Sequence, residues 1–143
     1  MSDISNYESR SGRLSCTPEE VFDFVTDIRN FEQFIPKGSI NNWQSGKDTC
    51  SFSVSMIGTV SLRIEKKEPY DKVIFSGDAL KKNDFSLILN ILENEDNNAE
   101  VKVKLEAELN PMLKMMANKP ILQFLEMLIR EMENFNGWKS FKA

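Results

Sequence analysis

TPEEVFDFVTDIRNFEQFIP, residues 17–36, sets two short helical phrases ahead of a long β-patterned stretch. Thr17 suits a helix N-cap, and Glu20 stands three residues later, as a capping box requires. Pro18 takes the first helical position, where its missing N–H costs little. Cys16 and Val21 occupy the staple positions on either side of that cap. Val21, Phe24, Val25 and Ile28 repeat at helical spacing and define one apolar face. The stretch DIRN ends this helix, and Asn30 suits the cap of a second, shorter one with Phe31, Phe34 and Ile35 on its apolar side. Pro36 and Gly38 then stop it.

Downstream, from 40 to 109, the period changes from helical to two. Cys50, Phe52, Val54 and Met56 alternate with serines, and Val60, Leu62 and Ile64 alternate with Thr59, Ser61 and Arg63. Phe85, Leu87, Leu89 and Ile91 share one parity. Val101, Val103, Leu105, Ala107 and Leu109 share another against Lys102, Lys104, Glu106 and Glu108. Such alternation marks an antiparallel sheet with one covered face. The breaks QSGKD, MIGT, EPYDK, LKKND and EDNNAE are short and turn-like, so they favour hairpins over helical crossovers. The pattern predicts strands near 40–45, 48–56, 59–68, 71–79, 84–94 and 99–109. A weaker first strand at 3–14 makes seven.

After 109 the helical period returns. Asn110 and Pro111 supply a cap and first turn, and PMLKMMANKPILQFLEMLIREMENF is apolar on more than one side. Pro120 predicts a break or kink near 117–119, followed by one long helix to about 135. Residues 136–143 are expected to be a frayed tail. The resulting order is α+β: a strand, two short helices, six antiparallel strands and a long C-terminal helix. A strongly curved sheet wrapped around that helix, with the short helices plugging the gap, satisfies it.

The 143 residues suit one domain, 1–143, able to bury roughly 68–70% of its unfolded surface without disulfides. A net charge of −4 argues against a nucleic-acid-binding face. The two cysteines, Cys16 and Cys50, have no metal or redox spacing and suit a reducing compartment. The polar start and the lack of a long apolar run predict a cytoplasmic protein without a membrane-spanning segment. The chain has no histidine, which removes Ser–His and Cys–His nucleophile systems and the commonest metal ligand. No metal or cofactor is expected.

This layout, with TPEEVFDFVTDIRNFEQFIP and LNPMLKMMANKPILQFLEMLI, resembles the START-like, polyketide cyclase (SRPBCC) superfamily and its helix-grip fold. The resemblance covers nearly the whole chain. It implies a long cavity between sheet and helix that receives a small apolar molecule such as a lipid, polyketide or quinone. The implied lining comes from Phe31 and Phe34 of the short helices and from Trp43, Phe52, Val54, Met56 and Leu62 of the early strands. Phe75, Phe85, Leu87, Val103 and Leu105 of the later strands continue it. Met116, Phe124 and Leu128 of the last helix complete it.

Each of these residues serves equally as ordinary core. Met112, Met115, Met116, Met127 and Met132 crowd the last helix, as a wall for variable apolar shapes would require. Asp27, Asp78 and Glu106 are scattered; parity turns Arg63 outward, and Asp78, beside residues of the inward parity, reads as outward with a single inward acid as the alternative. Arg130 and Lys114 read as a solvated rim, with contact to an acidic ligand head group as the alternative. Trp138 and Phe141 with Lys139 and Lys142 form a mix able to touch a membrane surface. No catalytic set converges, so the expected function is binding or transport of a small hydrophobic ligand. A cyclase or dehydratase with one buried acid, and a protein-interaction module, are the alternatives.

Overall fold

A computed structural model describes residues 3–34, 40–54, 58–79, 83–135 and 137–138. The elements follow the sequence pattern closely. They are β1 (Asp3–Glu8), β2 (Gly12–Arg13), α1 (Pro18–Val25), a 3₁₀ helix (Ile28–Phe34), β3 (Ile40–Ser45), β4 (Thr49–Val54), β5 (Gly58–Glu68), β6 (Lys72–Ala79), β7 (Asn83–Glu93), β8 (Ala99–Leu109) and α2 (Pro111–Asn134).

The strands form one antiparallel sheet in the order β1-β8-β7-β6-β5-β4-β3, with β2 also on β8. Thus β3 to β8 is a meander, and the first strand closes its far edge. The expected first strand is two pieces on one partner, making eight strands where the alternation predicts seven. Ser9 lies at the interruption. Its N–H donates to the Val103 carbonyl at 2.8 Å, and its hydroxyl accepts from the Val103 N–H at 2.9 Å. The irregularity carries Arg10 to α2, where it forms a two-pronged ion pair with Glu133 at 2.8 and 2.7 Å and reaches Glu126 at 3.2 Å.

Helix α1 starts on the expected capping box: the Glu20 N–H donates to Thr17 Oγ1, and the Thr17 N–H donates to Glu20 Oε1 at 2.8 Å. Its apolar face meets the end of the sheet where β8 begins, and Phe22 packs edge-on against Tyr70 of the β5–β6 turn at 5.5 Å. Helix α2 lies on the same face over β1, β2 and β8. A Cβ on Gly12 would stand 2.8 Å from Ile129 Cγ2, so α2 presses directly on the β2 backbone. The predicted break before Pro120 is not there, because α2 runs uninterrupted from 111 to 134. Burial of Ala117 before the proline and of Leu125, Leu128, Ile129 and Met132 after it outweighs one lost hydrogen bond. Met116, whose carbonyl loses its donor, is exposed, so water reaches it.

The tail is also not what the sequence predicts, as far as it is described. Trp138 is only 3% exposed. It sits among Phe24, Phe34 and Phe135 at ring separations of 4.9 to 5.5 Å. Phe31 and Phe75 extend this cluster and seal one end of the core.

Two carboxylates are held below their usual range, Glu133 chiefly by its hydrogen bonds from Arg10, and Asp27 by those from Arg29. A depressed folded-state pKa gives stability that is present above the unfolded value, about 4, and lost as pH falls through the folded value. The urea midpoint is therefore expected to hold steady near neutrality and to fall below about pH 4. In Glu133→Gln the acid decline should be shallower. An unchanged acid limb in that variant would show that the Arg10 pair does not couple to folding.

Candidate functional site

The sheet registers align side chains from distant strands into rows on the face that carries the helices. One row runs Cys50, Leu62, Gly77, Phe85, Ala107 and Ser5, from β4 to β1. Its members are small except for Leu62 and Phe85. The next row, Ile64, Phe75, Leu87, Leu105 and Tyr7, is bulky throughout. The step in side-chain height between them makes a covered trough across six strands, in which Cys50, Leu62, Ala107 and Ser5 are only 4 to 8% exposed. At roughly 4.8 Å per strand it is about 24 Å long.

Gly77 lets the sheet bend there. A Cβ at this position would lie 1.9 Å from the Ser61 carbonyl oxygen and 3.2 Å from Leu62 Cα. The β5 backbone leans directly over β6, and only hydrogen fits. Register shifts at Ile64/Lys66 in β5 and at Asn41/Gln44 in β3 add to the bend.

Polar groups gather where the trough passes beneath α2. The Tyr7 hydroxyl donates to Asn118 Oδ1 of α2. Ser5, two residues along the same strand face, is 4% exposed, and its hydroxyl has no hydrogen-bond partner. An unsatisfied buried hydroxyl costs about 1–3 kcal/mol. At the other end of the trough, burial pushes the Cys50 thiol up to about 12. Cys50 is therefore a neutral apolar group and not a nucleophile.

The sequence-derived lining residues divide into distinct groups. Leu62 and Phe85 are in the trough row, Leu87 and Leu105 in the bulky row beside it. Phe52 is buried with Trp43 stacked on it at 5.6 Å, and Trp43 is itself partly open. Phe31, Phe34 and Phe75 belong to the aromatic seal, and Val103 and Leu128 are fully packed core. Phe124 is half-buried on the flank of α2. Met116 points away from the sheet and is 62% exposed. The Val54 side chain and Met56 lie outside the described residues.

Ser5, Tyr7 and Asn118 escape the sequence reading. The signal was present as a polar alternation Ser5, Tyr7, Ser9 on one parity of the first strand. Polar residues on an inward face read as a weak strand, and their parity is settled only by pairing with β8.

On the outer face, Gln44, Thr49, Ser51, Ser61, Arg63, Ser76 and Asp78 border a second concavity of about 520 Å³. Asp78 and Arg63 are on this outer side, as their parity predicts. Cys50, Leu62 and Gly77 of the trough row also border it, so its lining is mixed polar and apolar. Among the described residues, no three His, Cys, Asp or Glu side chains come together as metal ligands would.

Solved structures with this arrangement exist. Mll3558 from Rhizobium loti superimposes with a TM-score of 0.67 at 10% identity, over 92% of this chain and 99% of that one. Ms6760 from Mycobacterium smegmatis gives 0.68 at 8% identity, over 92% and 94%. CalU16 from Micromonospora echinospora gives 0.52 at 16% identity, over 89% and 86%. At these identities the likeness is one of fold alone, an antiparallel sheet with a C-terminal helix consistent with a helix-grip arrangement. No family model matches the chain, and no curated protein matches it in sequence. Among the described residues, no helix is long and apolar enough to cross a membrane.

Proposed function

We propose that this chain is a START-like (SRPBCC) domain of the cytoplasm that binds or carries a small, elongated hydrophobic molecule. The ligand lies along the trough between sheet and α2. The observation that carries the reading is the orphaned Ser5 hydroxyl at the end of an apolar row, beside the Tyr7–Asn118 hydrogen bond. A ligand with one polar head and an apolar body satisfies both features at once. Its head takes the open Ser5 hydroxyl, and its body covers Ala107, Phe85 and Gly77. Affinity then comes from buried apolar area, at about 25 cal/mol per Å², with the head group fixing orientation.

The displaced carboxylates of this protein favour binding over acid–base chemistry. The two carboxylates with displaced pKa values, Asp27 and Glu133, are both moved down by arginine partners at the periphery. A general acid working near neutrality needs the opposite displacement.

The test combines native mass spectrometry of the purified protein with titration by two fluorescent probes, a fatty acid and an uncharged hydrocarbon. Both are expected to bind in the micromolar range. Ser5→Ala should weaken the fatty acid about fivefold to tenfold and leave the hydrocarbon unchanged. Ala107→Leu, which adds bulk to this buried row, should weaken both by about tenfold or more, at a cost of about 1–3 kcal/mol in stability. Absence of micromolar binding by either probe sinks the proposal.

A further inference from the structure

The face of α2 turned away from the sheet is not the charged surface expected of a solvated helix. Met112 is 73% exposed, Met115 82%, Met116 62% and Leu122 49%. At 100° per residue these four and Lys119 fall within an arc of about 120°. The arc opposes Ala117, Leu125, Leu128 and Met132, which are buried. Contiguous large apolar side chains at such exposure mark a docking surface.

The charges around the patch identify the partner. The chain as a whole carries −4, yet from Leu109 to Leu125 it has Lys114 and Lys119 and no acidic residue. Both lysines are exposed, and neither joins an ion pair among the described residues, but only Lys119 falls within the arc, Lys114 projecting about 140° from its centre. Downstream, Glu126 is engaged by Arg10. A second copy of this chain would bring lysine against lysine. A surface of anionic lipid matches both features: methionine and leucine enter the boundary of the acyl region, and the Lys119 stem lies along it with its ammonium group among the phosphates.

We propose that the outward face of α2, centred on Met112, Met115, Met116, Lys119 and Leu122, docks on anionic membrane surfaces. The helix lies in the plane of the interface and does not span it. The inference rests on the carrier reading for its purpose, since the docked end is the end of α2 beside Ser5 and the trough. Delivery or collection of an apolar ligand would then occur at the bilayer.

The experiment is flotation of the full chain with vesicles of phosphatidylcholine alone and with about one third phosphatidylglycerol. Binding is expected to the anionic vesicles, and to fall steeply between low and high salt. Lys119→Gln should reduce binding about fivefold, at roughly 1 kcal/mol per lysine near an anionic surface, and Lys114→Gln, on the other side of the helix, should reduce it less. Met112→Ser/Met115→Ser/Met116→Ser should reduce it about tenfold or more, and these exposed sites leave the circular dichroism and thermal midpoint unchanged. Indifference to anionic vesicles at low salt overturns the proposal. So does a dimer in solution that the Met variant converts to monomer, because the face would then pair with itself. Probe titration without vesicles reads the trough separately, so loss of docking with retained probe binding rejects this inference and leaves the carrier reading standing.

Discussion

Gly77→Ala is expected to destabilise the fold by about 3–5 kcal/mol, the upper end of what overpacking produces. The added methyl would stand 1.9 Å from the Ser61 carbonyl oxygen, and the obstacle is backbone rather than a side chain that can turn away. Relief requires β5 and β6 to part where the sheet bends. That separation also breaks the row that forms the trough. Against a total stability of about 5–15 kcal/mol the loss is large and should appear as a fall of about 10 °C or more in the thermal midpoint. Gly46→Ala is the control, since its methyl would meet nothing closer than Thr49 Oγ1 at 3.7 Å. A Gly77→Ala protein as stable as the Gly46→Ala protein would refute the tight β5–β6 approach.

Trp138→Ala carries the second large effect, about 3–5 kcal/mol, in line with removal of a buried indole. Trp138 lies beyond the end of α2, yet its ring fills the space between Phe24, Phe34 and Phe135. These contacts tie the segment after α2 to α1 and the 3₁₀ helix, so the substitution should loosen three elements together. Urea denaturation measures the loss, and hydrogen exchange should show faster exchange in α1 and the last turns of α2. A loss below about 1 kcal/mol would mean that the ring contributes little to the native core. Trp138→Phe should recover part of the stability by refilling most of the volume.

The fold was legible because its signals are local. Thr17, Pro18 and Glu20 specify one helix start, and the alternation from 40 to 109 specifies the strands within a residue or two. The break expected at Pro120 did not occur for the same reason: proline's local penalty is real, but α2 is held by contacts with β1, β2 and β8 that no window of sequence contains. The same holds for Trp138, since a short polar-flanked tail reads as frayed until the aromatic cluster that receives it is assembled. Met116 and Leu128 are both apolar on one helix, and only the side that meets the sheet distinguishes the wall from the exposed face.

From the sequence alone came the kinds of element, their order, and the parity that turns Asp78 and Arg63 outward. These follow from periods of two and 3.6, which record a residue's relation to its near neighbours. Which rows line up across the sheet was decided only in three dimensions. Ser5 meets Ala107, and Gly77 lies between Leu62 and Phe85, because strands far apart in sequence pair in one register. A trough, an orphaned hydroxyl and an uncovered methionine face are properties of that long-range packing, and short-range periodicity carries no information about them.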